Sequence, residues 1–480
     1  MSSSLLEKSA ALTNKVFGAF KHSDFTYKEM PFLWSIYSVI HYRYSLPLTL
    51  GASHSELLKS LKRERLRDLY KILTLDFLRL TITLISLVWL LLTKGRKVAI
   101  WSGDFYSEET KGDFRLGDLF GALQEEGIQY VEFIRDSEFG VKRMISNLFR
   151  RGRPVIYYLP IIRLCRLLSR PGKIKFSHEL SKEQASICQA AAYQVTNKYQ
   201  VNILRFLFRL LNVKALIAWE FMERQASLIY AANLEGIDAI GFMHGAGMNS
   251  YMPHEFMSCM VEKPDKFGID IMGVWSPWWK SYYQENTVFY NNYEIISPLK
   301  EKRDFRKNLS RYSDTMKNGK LLWVCEPLVS PSELIQFIDV AEQLYDVVFK
   351  IRKGAKNSFY EELLALRPHL ASNQTMDYDM FDAISECSVV VGSHSTAVLD
   401  ASLINTPFLL VNTKKWGNYF KLPTNFFSIS PQDFESKLKR MPEQDLESSK
   451  LQWFGNARIS GVDFLVNRIK NNTSVNSKSL

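Results

Sequence analysis

At 480 residues the chain is too long for one ordinary domain and implies two. Its 46% hydrophobic content excludes an intrinsically disordered protein and predicts large cores. The net charge of +11 raises an anionic partner, and five scattered cysteines without a CxxC pair predict reduced core thiols rather than disulfides or zinc ligands.

Residues 1–94 read as a mainly helical extension. The opening MSSSLLEKSAALTNK lacks a basic-then-apolar leader, so secretion is not expected. Ile72 to Leu92 is about long enough to cross a bilayer, but Asp76 and Arg79 fall in its first third. Lys62, Arg63, Arg65 and Arg67 precede it, and Lys94, Arg96 and Lys97 follow it. The sequence leaves a core helix, an interfacial helix and a span open.

Residues 95–300 alternate strand and helix. Lys97 to Asp104 reads as a strand ending at a turn, followed by a loop bearing Asp104, Glu108, Glu109 and Asp113. Gln129 to Ile134, Val155 to Leu159, Val213 to Trp219, Ile237 to Phe242, Ile271 to Trp275 and Glu294 to Ile296 read as further strands. Between Phe139 and His178 lie ten basic residues and no Asp or Glu, interleaved with aliphatic and aromatic side chains. That pattern predicts contact with an anionic membrane surface. Nucleic acid is not expected, because no recognisable binding module accompanies the patch.

Residues 299–320 are polar and highly charged, as a linker would be, and 301–470 carry a second alternation. It opens with Leu321 to Cys325, Pro331 to Leu344, Val347 to Ile351 and Ser358 to Leu366. Residues 471–480 read as a disordered tail. Two doubly wound α/β domains follow from the pattern.

The most informative stretch is 387–412, CSVVVGSHSTAVLDASLINTPFLLVN. Ser388 to Val391 reads as a buried strand, Gly392 to Thr396 as a hydroxyl-rich turn, Ala397 to Leu403 as a helix, and Phe408 to Val411 as a second strand. This βαβ unit places backbone N–H groups and hydroxyls where a phosphate is favoured. The pattern resembles the donor-binding half of GT-B glycosyltransferases, most closely those of bacterial surface polysaccharide (capsule and O-antigen) assembly.

The resemblance implies a GT-B-like fold, with two Rossmann-like domains facing a cleft. It further implies that Ser393, Ser395 and Thr396 hold the donor phosphate, and that Asp400, where the family more often has Glu, takes a ribose or sugar hydroxyl. The basic loop Lys350, Arg352 and Lys353 matches the family's diphosphate-neutralising residue. Glu326 follows the first strand of this half, where the family makes donor or acceptor contacts, and His394 sits within the turn as a possible donor to a leaving phosphate oxygen.

In the first half, Met243-His244-Gly245 partly resembles a strand-ending Gln-His-Gly of polysaccharide transferases, with Met243 at the Gln position. His244, Glu220 and Asp104 are the candidate bases. Asp377-Tyr378-Asp379 precedes a helix and reads as a cap rather than a metal motif. No metal and no cofactor are expected, the nucleotide sugar being a substrate.

The expected activity is transfer of a sugar to a surface-polysaccharide or lipid-linked acceptor, at the inner face of the cell membrane. A nucleotide-sugar 2-epimerase of the same fold, or a non-catalytic membrane scaffold of an assembly complex, are the alternatives.

Overall fold

The computed structural model describes the chain apart from residues 1–4, 18–25, 28–29, 32–39, 94, 104–105, 108–111, 136–140, 169–179, 193–197, 220–224, 246–267, 300–318, 327–328, 352–357, 374–379, 394, 414–421, 442–443 and 476–480. The chain packs as two compact units. One is built from Glu7–His244, Ser250–Arg303 and Ala457–Leu480, the other chiefly from Asp304–Asn456.

The first unit holds a seven-stranded parallel sheet. Its strands are β1 (Lys97–Ser102), β2 (Tyr130–Ile134), β3 (Val155–Tyr157), β4 (Val213–Ala218), β5 (Asp238–Phe242), β6 (Ile269–Val274) and β7 (Tyr290–Ile295), in the order β7-β6-β5-β4-β1-β2-β3. Every residue of β1 is buried, as a central parallel strand covered on both faces requires. The chain runs from β1 toward one edge and then returns to build the other side, so the order reverses between β1 and β4.

The second unit holds a five-stranded parallel sheet. It is formed by β8 (Lys320–Val324), β9 (Asp346–Lys350), β10 (Val389–Gly392), β11 (Phe408–Val411) and β12 (Phe427–Ser428), ordered β9-β8-β10-β11-β12. Its order reverses between β8 and β10. The core gathers Trp323, Phe349, Val391 and Leu409 from the strands with Phe337, Leu363 and Phe434 from the covering helices. Both units are therefore doubly wound, as the alternating pattern predicted.

Several boundaries differ from expectation. The strand at Val155 lasts three residues, because the chain turns helical at Tyr158. The helix after the hydroxyl-rich turn is one α turn, Thr396–Leu399, continued as a 3-10 helix over Asp400–Ile404. It stops at Asn405, whose φ of 54° is left-handed, just ahead of Pro407. The two-residue β12, which pairs Val411 with Ser428, gave too short a signal to be read.

The helix Gly461–Val475 packs on the first sheet, where Arg468 meets Glu294 (2.7 Å) and Lys470 meets Glu126 (2.5 Å). The expected boundary at 301–470 had assigned this helix to the second domain. It also continues helical through residues 471–475, the start of the expected disordered tail; 476–480 lie outside the described residues.

The helical extension includes α1 (His54–Leu73) and α2 (Leu75–Leu92), which belong to the first unit. Ser53 opens α1 with a capping box, its hydroxyl accepting from the Glu56 N–H while Glu56 accepts from the Ser53 N–H. The backbone breaks at Thr74 (φ −116°, ψ −105°), so the apolar stretch expected from Ile72 starts as a separate helix at Leu75.

Four of the ten basic residues between Phe139 and His178 are answered by remote acids. Arg151 (2.5 Å) and Arg153 (2.7 Å) clasp the fully buried Glu132 of β2. Arg163 pairs with Asp76 and Asp68, and Arg166 reaches Asp68. Burial alone would raise the Glu132 carboxyl, but the two guanidiniums overcome that and hold it below its ordinary range. A sequence window shows no acid here because the partners come from β2, α1 and α2. For these four arginines the expectation of a lipid-facing patch is corrected: they are built into the unit. Arg170, Lys173 and Lys175 lie outside the described residues.

Candidate functional site

In an open parallel sheet the ligand crevice lies beyond the carboxyl ends of the strands, where the strand order reverses. Each unit has one such edge.

In the second unit that edge lies at β8 and β10, with β9 beside β8. Lys350 is the last residue of β9 and pairs in register with Val324 of β8. Trp323 of β8 pairs with Val391 of β10, which places Gly392 next along the same edge. At a strand spacing of about 4.8 Å, the Lys350 and Gly392 backbones stand roughly 10 Å apart. Lys350 is buried, as are Ser393 and Asp400.

The turn is shaped by packing. A Cβ at Gly392 would stand 2.6 Å from the Val398 side chain, so only glycine lets the short helix close onto the strand end. Ser395 is the N-cap of Thr396–Leu399, and its hydroxyl accepts from the Ala397 N–H at 3.4 Å. Ser395 and Thr396 are half-buried, while Asp400 lies four residues past Thr396 at the start of the 3-10 helix. Glu326, half-buried, follows the end of β8.

Thus Lys350, Glu326, Ser393, Ser395 and Thr396 lie at one sheet edge, and Asp400 follows one helical turn later. Arg352, Lys353 and His394 lie outside the described residues.

In the first unit the edge is formed by the ends of β1, β4 and β5. Asp113 is fully buried and accepts from the Gly103 N–H (2.6 Å), the Arg115 N–H (3.1 Å) and the Arg115 guanidinium (3.1 Å). The Arg115 Cζ stands 4.1 Å over the Trp219 ring, and Trp101 packs edge-on to that ring from β1. The Phe242 N–H donates to the Trp219 carbonyl (2.8 Å), which brings the His244 ring to 5.2 Å from the Trp219 ring.

Gly103 is required here. A Cβ would meet Arg115 at 2.5 Å, and Asp113 and Trp219 at 2.6 Å.

This edge contains His244 as expected, but Asp113 is an anchor for the loop rather than an available base. Its oxygens are taken up by Gly103 and Arg115. Glu220, Asp104, Glu108 and Glu109 lie outside the described residues. Arg115 and Trp219 were not read as site residues, although an Asp-x-Arg after a Gly-bearing turn is the signal that would have found the first. Among the described residues, no group of three or more His, Cys, Asp or Glu side chains is placed to hold a metal.

No protein-family model matches the chain, and no curated protein matches it. Among solved structures it is similar to the Staphylococcus aureus MnaA–UDP co-structure, at 11% identity and a TM-score of 0.45 over 81% of this chain and 98% of that one. It is similar to Acinetobacter baumannii MurG at 13% identity and a TM-score of 0.44, over 79% of this chain and 100% of that one. A Methanocaldococcus jannaschii UDP-GlcNAc 2-epimerase, solved with UDP-GlcNAc and UDP, gives 11% and 0.46, over 78% of this chain and 99% of that one. The functional reading rests on the residues at the two sheet edges.

Proposed function

We propose that the protein is a glycosyltransferase that takes a sugar from a nucleotide-sugar donor and passes it to a surface-polysaccharide or lipid-linked glycan at the inner face of the cell membrane. One observation carries the reading: a buried lysine, Lys350, ends the strand two places from a glycine-serine-threonine turn on one sheet edge.

In this reading the hydroxyls of Ser393, Ser395 and Thr396, with the N–H groups of the turn, receive the donor diphosphate. Lys350 neutralises the charge that grows on the leaving nucleotide as the glycosidic bond breaks. The reading assigns that role to the lysine and not to a metal. Asp400 and Glu326 are the acceptors offered to donor hydroxyls. At the other sheet edge, His244 takes the proton of the attacking acceptor hydroxyl, and the buried Trp219, covered by Arg115, holds the wall beside it.

The same donor cradle would serve a nucleotide-sugar 2-epimerase, which needs no acceptor. Incubation with a panel of nucleotide sugars, with and without lipid-linked glycan, separates the two. Transfer releases nucleoside diphosphate only with acceptor present, whereas epimerisation changes the sugar stereochemistry without it. Binding of nucleotide with neither outcome would point to a scaffold.

A further inference from the structure

The helix α2 is packed with its polarity reversed. Its buried side chains include Asp76, Arg79, Thr83, Ser86 and Leu90, which recur at helical spacing on one face. The opposite face carries Phe77, Leu84, Ile85, Val88, Trp89 and Leu92, each 60–77% exposed.

The polar face has structural work. The Thr83 hydroxyl accepts from the Tyr157 N–H (3.1 Å), and the Ser86 hydroxyl accepts from the Val155 N–H (3.2 Å). Those N–H groups belong to β3, the edge strand of the seven-stranded sheet, so α2 satisfies a sheet edge that would otherwise be open. Asp76 is ion-paired with Arg79 (3.0 Å) and with Arg163. Leu78 and Ile82 pack against Ile134, Val155 and Tyr157. A helix fastened to a sheet in this way cannot cross a bilayer without carrying its hydrogen-bonded strand along.

A second exposed apolar stripe lies on α1, before the break at Thr74. Leu66, Leu69, Tyr70 and Leu73 are 45–73% exposed on its last turns. On the same face, at spacings of three and four residues toward the N-terminus, stand the exposed cations Lys59, Lys62 and Arg63. Arg67 is also exposed and pairs with Glu64 at 3.2 Å. The flanking Lys97 is not available, because it is buried and donates to the Thr93 carbonyl at the end of α2.

We propose that the exposed face of α1 and α2 docks on an anionic lipid bilayer, with the α2 stripe in the acyl boundary and Lys59, Lys62 and Arg63 on the headgroup phosphates. Charge complementarity selects lipid over a second copy of the chain: a cationic rim runs directly into an apolar stripe, the pattern of an in-plane membrane helix. The helix lies in the membrane surface and does not span it. The proposal deepens the membrane placement in the proposed function, and nucleotide titration of the same samples separates its failure from failure of the transferase reading.

The test is co-sedimentation of the full chain with vesicles of phosphatidylcholine plus phosphatidylglycerol, against phosphatidylcholine alone. Leu84→Ser, Val88→Ser and Trp89→Ser together are expected to lower partitioning more than about tenfold, since each is an apolar side chain withdrawn from contact with the acyl region. Lys62→Glu with Arg63→Glu is expected to lower it only on the anionic vesicles, by about fivefold per residue. These positions face outward, so circular dichroism and the unfolding midpoint should not move. Wild-type partitioning by both variants overturns the proposal. So does a wild-type dimer in light scattering that the triple variant converts to a monomer.

Discussion

Arg115 stands with its Cζ 4.1 Å above the Trp219 ring while its guanidinium holds the buried Asp113 at 3.1 Å. One side chain thus ties the loop after β1 to the end of β4, and fixes the aromatic surface beside His244. Replacing it breaks both links. Arg115→Met leaves Asp113 an uncompensated buried carboxylate and should cost about 3–5 kcal/mol of stability. Urea unfolding measures this, and adding Asp113→Asn to the same chain should recover part of the loss. An Arg115→Met chain as stable as the wild type would remove the anchor role.

Glu132 supplies a second test of the buried ion pairs. It is fully buried between Arg151 and Arg153. Glu132→Gln leaves two guanidiniums facing a neutral amide and should destabilise the first unit by about 3–5 kcal/mol. Glu132→Asp, which keeps the charge on a shorter stem, should lose less. Thermal unfolding of the three chains side by side gives the order.

His41 predicts a pH dependence. Burial lowers it from 6.5 to about 4, and its Nδ1 lies 3.2 Å from the Thr13 hydroxyl. Because the folded-state pKa is depressed, the unfolded chain takes up the proton first as pH falls below 6.5, and binds more protons over the window down to about 4. Stability therefore falls with falling pH across that window, by up to about 1.4 kcal/mol per pH unit from this one group. The contribution is complete above 6.5. His41→Gln should flatten that part of the curve in a pH series of unfolding midpoints.

Much of this architecture was legible in the sequence because parallel strands announce themselves. Lys97–Ser102, Val213–Ala218 and Phe408–Val411 are short apolar runs buried on both faces, and each appeared within a residue or two of its expected place. The turn at Gly392 was legible because glycine and hydroxyl residues were grouped between two such runs.

What could not be read depends on contacts distant in sequence. Ten basic residues without an acid looked like a cationic surface, yet Arg163 finds Asp76 from 87 positions away. The same blindness hid the polarity of α2. Thr83 and Ser86 look like interruptions in an apolar helix until β3 places two N–H groups against them. Asp113 read as a loop acid because the Gly103 N–H that closes on it comes from ten positions earlier, and the Trp219 ring that carries Arg115 comes from another strand end.

The nucleotide sugar is proposed to bind at the edge formed by Lys350 and the Ser393–Thr396 turn. Calorimetric titration with UDP, GDP, dTDP and ADP tests it most directly, on the wild type, Lys350→Ala and Ser395→Ala. One nucleotide should bind the wild type, and removing a hydrogen bond to its charged phosphates should cost about 1.5–3 kcal/mol, a loss of about tenfold to a hundredfold in affinity for either variant. Binding that both substitutions leave unchanged would place the nucleotide somewhere other than this edge.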